Sequence, residues 1–222
     1  MPVIMRVGGG AGGSGQKTVT INAPKNSTVS WTGVESGSVA MGSQTQATVA
    51  LQAGTYTFTN TLTIDGTVTT IYTKTAAITA DTTVNVFPDG ALYWYGMFLE
   101  PFVPVSSLSE DNVTYSENSL YIYLSKKGSF TGQYLTNNTI SLLSYSAIKI
   151  TAHTSSNNNW KLAITTSKGG VSKVTGLSAS WTTSTMNIAS DDNSYFVGVS
   201  DIVSGATSYY GAGVYIRALW LE

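Results

Sequence analysis

The stretch PDGALYWYGMFLEPFVP, residues 88 to 104, holds three of the five prolines and the densest group of aromatic residues in the chain. Proline interrupts regular structure, and domain boundaries often fall in segments of this kind. The residues before the stretch are rich in threonine, and those after it are more mixed. We therefore predict two domains that meet here, with residues 97–104 as a Pro-rich hinge.

Residues 17–96 predict an antiparallel β-sandwich. Val19 and Ile21 alternate with threonines, and similar short runs such as Thr28–Thr32 follow, broken by positions rich in glycine or aspartate such as Asp65-Gly66. Alternation of period two indicates strands with one buried face, and many short strands at regular spacing are typical of a sandwich. Residues 1–16 are rich in glycine and predict a flexible arm that becomes ordered against a neighbouring subunit.

Residues 105–222 predict a second antiparallel sandwich, of the jelly-roll or lectin-like type. The positions expected to face its core are Leu120, Ile122, Leu124, Ile148, Ile150, Ala152, Trp160, Leu162 and Ile164. The closing segment from Val214 to Leu221 is apolar on both faces, which favours a central strand. No helical period continues for ten residues, so the predicted fold class is all-β, with two sandwiches.

The composition favours an extracellular or virion-surface protein. Only 10% of the residues are charged and the formal net charge is −1, so the chain lacks the basic surface expected of a nucleic-acid-binding protein. No apolar run is long enough to enter a bilayer, and we expect no membrane insertion. The amino end lacks the apolar core of a signal peptide. This absence fits a virion component that is released by lysis, and it fits a trimmed chain equally well.

The sequence predicts no enzyme. His153 is the one histidine and has no nearby carboxylate or nucleophile motif, so a surface histidine is favoured over a general base. Adjacent acids on a strand point to opposite faces, so Glu110-Asp111 and Asp191-Asp192 do not form the carboxylate pair of a glycosidase. Asp191-Asp192-Asn193 lacks the spacing of a calcium loop and favours a turn. The chain has no cysteine. We predict no catalytic residue, metal or cofactor.

Aromatic residues are the remaining signal, because thirteen tyrosines and five tryptophans can stack on sugars, anchor interfaces or fill a core. Tyr121 and Tyr123 alternate with the apolar residues of one strand, and Tyr215 and Arg217 do so in the closing strand. If these strands pair, the four side chains form one patch on the outer face. We predict that this patch binds carbohydrate, with an interface to another subunit as the alternative.

A second aromatic group is the run Tyr93, Trp94 and Tyr95. Successive side chains of a strand point to opposite faces, so one face cannot bury all three. At least one of them must then contact the other domain, another subunit or a ligand, and we assign all three to an interface. Trp160 and Trp220 are expected in the core.

The segment Ala47 to Thr59, which contains Leu-Gln-Ala-Gly-Thr-Tyr, resembles the strand-joining corner of immunoglobulin-like surface repeats. This resemblance implies that residues 17–96 form an immunoglobulin-like β-sandwich with a structural role. The order of the parts, with Met1 to Gly10 and Asp89 to Gly96, resembles accessory tail, baseplate or head-fibre proteins of bacteriophages. That resemblance implies a virion surface structural protein that contacts other virion proteins and host carbohydrate, as a homo-oligomer with a trimer as the expected form. The alternatives are a non-binding capsid decoration or tail spacer protein, and a secreted bacterial adhesin or carbohydrate-binding module.

Overall fold

A computed structural model describes residues 15–102, 111–115, 119–124, 133–134, 136, 138–154, 160–166, 173–188, 193–201 and 212–222 of the 222-residue chain. Within these ranges the regular elements are strands, which confirms the predicted all-β class. The chain divides into two compact units: unit 1 ends at Asp89 and unit 2 begins at Gly90.

The described strands of unit 1 are β1 (Gln16–Asn22), β2 (Thr28–Thr32), β3 (Gly37–Ala40), β4 (Gln46–Gln52), β5 (Gly54–Ile64), β6 (Thr67–Ile78) and β7 (Thr82–Asn85). They form two sheets, with the strand orders β4-β1-β7 and β3-β2-β5-β6. Neighbouring strands are antiparallel except β1 and β7, which run parallel with Val19 opposite Thr82. Residues 1–14 of the predicted arm lie outside the described ranges.

The core of unit 1 takes side chains from both of its sheets. Val19 and Ile21 of β1 and Tyr56 and Phe58 of β5 are each 0% exposed, and all belong to one apolar cluster. Burying a side chain of this size stabilises the fold by about 1.5–3 kcal/mol. The apolar residues that alternate with threonines in the sequence are therefore the inward-facing residues of these strands, and unit 1 is a β-sandwich.

A two-residue turn, Asp65-Gly66, joins β5 to β6. Both residues have positive φ angles, 51° and 78°. Two-residue hairpins favour this conformation because its twist matches the twist of the flanking strands, and Asp-Gly is one of the pairs that adopts it readily. The predicted break at this position is confirmed.

The described strands of unit 2 are β8 (Ala91–Trp94), β9 (Met97–Phe98), β10 (Asp111–Tyr115), β11 (Leu120–Leu124), β12 (Gln133–Tyr134), β13 (Ile140–Ser141), β14 (Ala147–Thr154), β15 (Trp160–Thr165), β16 (Lys173–Gly176), β17 (Thr182–Asn187), β18 (Ser194–Asp201) and β19 (Ala212–Leu221). One sheet has the order β10-β11-β19-β14-β17, with β8 and β9 attached through β19. The other has the order β12-β18-β15-β16, with β13 beside β18.

The core of unit 2 also draws on both of its sheets. Ile148 and Ile150 of β14 are 0% exposed and belong to the same cluster as Leu162 and Ile164 of β15. These inward positions, and that of Ala152, were predicted and are confirmed. The side chains of Ile122, Leu124 and Trp160 lie outside the described part of the structure.

The division between the units lies earlier in the chain than predicted. β8 pairs with β19, and β9 pairs with β8, so the residues of both strands belong to unit 2. The first domain therefore does not extend to residue 96, and residues 97–104 are not a hinge as a whole. Phe102, which is 3% exposed, belongs to the unit 2 core. The aromatic run is a pair of strands, and its apolar inward residues hold it to unit 2.

Candidate functional site

The candidate site lies on the outer face of the sheet that contains β19. One edge of β19 pairs first with β11 and then with β8, and its other edge pairs with β14. The closing strand is therefore central, as its apolar composition predicted. A central strand brings side chains from both of its neighbours next to its own, so the outward residues of β11, β19 and β14 meet.

β19 contains a β-bulge at Arg217. Ile216 lies opposite Ala152 and Ala218 lies opposite Thr151, so Arg217 is an extra residue between them. The inward residues are Val214 and Ile216 before the bulge, and Leu219 and Leu221 after it. This shift of phase explains why the strand reads as apolar on both faces. Bulges redirect side chains and recur next to functional sites.

Three aromatic rings form a row across β11, β19 and β14. Tyr121 is directly opposite Tyr215, and Tyr215 is directly opposite His153. The Tyr121 and Tyr215 ring centroids are 4.2 Å apart, and those of His153 and Tyr215 are 4.6 Å apart with parallel planes. These spacings are close to the separation of about 4.8 Å between neighbouring strands. Each ring therefore stacks on the ring of the next strand, and we call this row the ring ladder.

Trp181 and Arg217 extend the ring ladder. Trp181, just before β17, meets His153 edge-on with a centroid separation of 4.4 Å. The guanidinium carbon of Arg217 lies 3.7 Å from the centre of the Trp181 ring. A cation over an aromatic face gains about 0.5–1 kcal/mol at an exposed site and more where water is excluded. The Trp181 ring thus holds the one positive charge of this cluster in place.

Two local features hold the ladder in shape. A methyl group at Gly213 would lie 2.3 Å from Cε2 of Tyr121, so the Tyr121 ring occupies space that a larger residue would fill. The Nδ1 atom of His153 lies 3.3 Å from the carbonyl oxygen of Thr154. In the neutral ring, donation from Nδ1–H to this carbonyl leaves Nε2 as a hydrogen-bond acceptor at the ring edge.

The predicted pairing of the strands that carry the four patch residues is confirmed. Tyr121 and Tyr215 touch, and Arg217 joins them through Trp181 and the ladder. Tyr123 is opposite Gly213 in the register, but its side chain lies outside the described part of the structure. That the patch binds a ligand stays a prediction.

Sequence reasoning missed two members of the cluster. The sequence predicts His153 only as a surface histidine, and no pattern in it points to Trp181. The outward phase of His153 in β14 was visible in the sequence, but its neighbour Tyr215 follows only from the order of the strands. A contact between strands about sixty residues apart leaves no local pattern.

Two of the three residues assigned to an interface, Tyr93 and Trp94, are 1% and 5% exposed within the chain, which leaves no surface for another subunit. Contact of these residues with the other domain stays a prediction. Tyr93 lies in the core, while Trp94 meets the rings of Tyr95 and Trp220 edge-on, at 5.3 Å and 5.6 Å. Trp220, expected in the core, is instead half-buried.

Tyr95 occupies the turn between β8 and β9. Its φ angle is +44°, and that of Gly96 is +94°. The Tyr95 N–H donates a hydrogen bond of 2.7 Å to the carbonyl oxygen of Arg217, at the bulge. Burial raises the pKa of the Tyr95 hydroxyl, and the positive charge of Arg217 opposes that rise. Tyr95 therefore lies beside Arg217, on the side of the bulge that faces β8.

Within the described ranges, no three histidine, cysteine, aspartate or glutamate side chains are grouped closely enough to hold a metal ion. The pair Asp191-Asp192 lies outside those ranges. In the same part of the chain, no helix is long and apolar enough to span a membrane.

Comparison with known proteins identifies no family for this chain. No protein family model matches the chain, and no curated protein matches it. Two solved structures of DUF3823 family proteins are similar to it at 12% sequence identity and a TM-score of 0.27. The one from Bacteroides ovatus covers 83% of this chain and 96% of its own. The one from Parabacteroides merdae covers 95% and 100%. Similarity this low carries no argument about fold or function.

Proposed function

We propose that this chain is a β-sandwich surface protein that binds carbohydrate on the outer face of unit 2. The observation that carries the proposal is the ring ladder with Trp181 and Arg217 beside it. The core of unit 2 is built from other residues, such as Ile150 and Leu162, so these outward rings are not needed to fill it. Aromatic surface beyond what a fold requires is typical of a binding surface.

The chemistry of the face suits a ligand rich in hydroxyl groups. The phenol groups of Tyr121 and Tyr215 can each donate and accept a hydrogen bond, and Arg217 carries five N–H donors in a planar fork. Stacking on a neighbour restrains each ring before a ligand arrives. Binding then loses less side-chain entropy than it would with freely rotating groups.

For unit 1 we propose an immunoglobulin-like sandwich. At the corner between β4 and β5, the Tyr56 hydroxyl donates a hydrogen bond of 3.0 Å to the carbonyl oxygen of Gln52, four residues upstream. A tyrosine that binds the backbone a few residues before it is a feature of immunoglobulin-like domains. For unit 2, a two-sheet antiparallel sandwich supports the jelly-roll or lectin-like assignment as part of the same proposal.

We place this protein on the surface of a bacteriophage virion, in a tail or fibre, as a homo-oligomer such as a trimer that contacts other virion proteins. The low charge, the threonine-rich outer faces and the order of the parts support this setting. A glycan-binding unit carried on a structural unit would attach a virion to its host. The proposed role is binding without catalysis.

The test is a glycan array with the intact chain, followed by calorimetric titration of the best glycan. A double change, Tyr121→Ala with Arg217→Ala, removes one end of the ladder and its cation. We expect binding to weaken at least about tenfold, because each lost hydrogen bond to a charged group is worth about 1.5–3 kcal/mol. The matched control is Thr57→Ala with Thr75→Ala, on the outer face of unit 1, which should bind as the wild type does.

Circular dichroism and light scattering must accompany the titration. Binding that survives the double change, with the fold and mass intact, contradicts the proposed site. Loss of an oligomer in place of loss of binding identifies the face as a subunit interface, which would favour a non-binding decoration or spacer protein.

A further inference from the structure

Trp181 lies where the ring ladder ends, just before the edge strand β17. In the middle of the ladder, Tyr215 has Tyr121 against one face and His153 against the other, so a sugar cannot stack there. Trp181 is half-buried, with Arg217 over one face of its indole and His153 edge-on. In the described part of the structure no further ring or cation lies against Trp181. The second face of this indole is therefore the one for a ligand to use.

A second indole, that of Trp220, lies on the same outer face. Leu219 and Leu221 belong to the core, so Trp220 between them points outward. It is directly opposite Lys149 of β14 and is half-buried. The ring of Trp94 meets it at 84°, with 5.6 Å between the ring centroids. Trp220 therefore presents part of its ring to solvent, while Trp94 restrains its position.

The register of β14 gives the separation of the two indoles. Trp220 is opposite Lys149, and Trp181 meets the ring of His153, four residues further along β14. Both β14 residues point outward, because their neighbours in the strand are in the core. Each residue of a strand adds about 3.3 Å, so the two positions are about 13 Å apart. One sugar ring is too small to contact both indoles, whereas a short chain of sugars can do so.

The surface between the two indoles is polar. Thr151 and Thr183 are directly opposite each other, with their hydroxyl oxygens 2.9 Å apart, and each hydroxyl can both donate and accept hydrogen bonds. Two cations are described on this surface, and each has a partner: Lys149 pairs with Glu222, and Arg217 lies over Trp181. Since both charges are engaged, the surface suits a neutral ligand that is rich in hydroxyl groups.

We infer that unit 2 binds a linear, neutral oligosaccharide that lies along β14, with one sugar stacked on Trp181 and a later sugar stacked on Trp220. This inference rests on the proposed function and adds the length and charge of the ligand. The negative face of an aromatic ring attracts the C–H groups of a sugar, and the Thr151 and Thr183 hydroxyls bind the sugar between the stacked ones. Two linked contacts bind more tightly than one, because the second forms at a high effective concentration.

The experiment measures affinity against the length of the ligand. The probes are linear oligosaccharides of glucose, mannose, galactose and N-acetylglucosamine, from one sugar unit to six, titrated into the intact chain by calorimetry. We expect one series to bind about a hundredfold more tightly once its members reach both indoles, and to gain little beyond that length. Trp181→Ala and Trp220→Ala should each remove most of this gain. Uronic-acid oligomers of the same lengths should bind more weakly than the neutral series.

A further pair of changes, Thr151→Val with Thr183→Val, tests the surface between the indoles and leaves both of them in place. We expect the long members to bind about tenfold more weakly, because their hydrogen bonds to the hydroxyls are lost, and the single sugar to bind as before. The matched control is Thr57→Val with Thr75→Val, a hydroxyl pair of the same kind in unit 1, which should change nothing. If Trp220→Ala does not fold by circular dichroism, this pair decides in its place.

The outcomes separate this inference from the proposed function. An affinity that does not depend on chain length overturns the inference and leaves carbohydrate binding standing. A length dependence that folded Trp181→Ala and Trp220→Ala both retain also overturns it, because the long ligand then binds elsewhere. Tighter binding of the uronic-acid oligomers shows that the ligand is an anion and overturns it as well. No binding to any of these probes or to a glycan array overturns the proposed function too.

Discussion

The outer faces of both sandwiches pair residues that lie directly opposite each other on neighbouring strands, but the paired side chains differ. In unit 1, Thr57 lies directly opposite Thr75, and their hydroxyl oxygens are 3.2 Å apart. In unit 2, Tyr121 lies directly opposite Tyr215, and their rings stack. The threonine pair makes contact through its hydroxyl groups, while the tyrosine pair makes contact through its ring faces. The comparison teaches that two β-sandwiches in one chain can present different chemistry on their outer faces through their outward side chains alone.

The largest effect should come from the core below each face. Ile150→Ala, in β14 of unit 2, and Phe58→Ala, beneath the threonine pair of unit 1, each remove a side chain that is 0% exposed. We expect a loss of about 2–5 kcal/mol in the free energy of unfolding for each. Urea unfolding measures both losses. A loss well below about 2 kcal/mol for either variant would mean that its side chain is not packed in the core of its unit.

A smaller effect should come from crowding the ladder itself. Gly213→Ala places a methyl group 2.3 Å from the Tyr121 ring, so that ring must leave its position on Tyr215. We expect a loss of about 1–3 kcal/mol in stability and weaker glycan binding. Gly176→Ala is the matched control, because its methyl group would meet nothing within 4 Å. Equal behaviour of the two variants would show that the Tyr121 ring is not held where the structure places it.

Alkaline pH should affect the stability of the two units to different extents, through one tyrosine in each. Burial raises the pKa of Tyr56, and the neighbouring Glu35 carboxylate raises it further. Burial also raises the pKa of Tyr95, but there Arg217 opposes the rise. The pKa of a tyrosine hydroxyl in the unfolded chain is about 10. A folded-state pKa above this means that the neutral hydroxyl contributes stability, which is fully present below about pH 10 and is lost as the pH rises through the folded-state pKa.

Tyr56→Phe should therefore cost about 1 kcal/mol at pH 7, where the hydrogen bond to Gln52 is lost, and less above pH 10. Tyr95→Phe should change the pH dependence less than Tyr56→Phe does. Urea unfolding at a series of pH values from 7 to 11 measures both. If Tyr56→Phe leaves the pH dependence of unfolding unaltered, that dependence does not come from the Tyr56 hydroxyl.

The smallest effect should come from the surface ion pairs. Lys74 and Asp89 lie 2.6 Å apart in unit 1, and Lys149 pairs with Glu222 in unit 2. The Asp89 side chain is 83% exposed, so water and salt weaken the attraction. Asp89→Asn and Glu222→Gln should each change stability by less than about 1 kcal/mol. Thermal unfolding at low and high salt measures this, and a larger, salt-resistant loss would mean that one pair is structural.

Local chemistry predicted unit 1 well. The run Thr28–Thr32 is β2 as predicted, and Asp65-Gly66 is a turn because both residues tolerate positive φ angles. The turn at Tyr95-Gly96 has the same backbone form but was missed. Tyrosine is rarely found with a positive φ, so nothing in the sequence marks this position as a hairpin, and β8 and β9 were read as the approach to a hinge.

The candidate site could be predicted only in part. Alternation placed Tyr121, Tyr215 and Arg217 on outward faces, and the pairing of their strands was a correct guess. The bulge at Arg217 could not be predicted. An extra residue shifts the inward positions by one, and in the sequence this shift looks the same as a strand that is apolar on both faces. The place of Trp181 depends on the pairing of β17 with β14, which no local pattern encodes.

The central position of β19 has a consequence for biosynthesis. β8, β11 and β14 are made before it, yet each of them lies beside it in the finished sheet. Until the ribosome has released residues 212–221, the nascent chain carries these three strands with edges open to pairing with other chains. Every described strand of unit 1 lies within residues 16–85, so that part of the unit can fold while translation continues. Chaperones that cover exposed strand edges should therefore bind the nascent unit 2 and not unit 1.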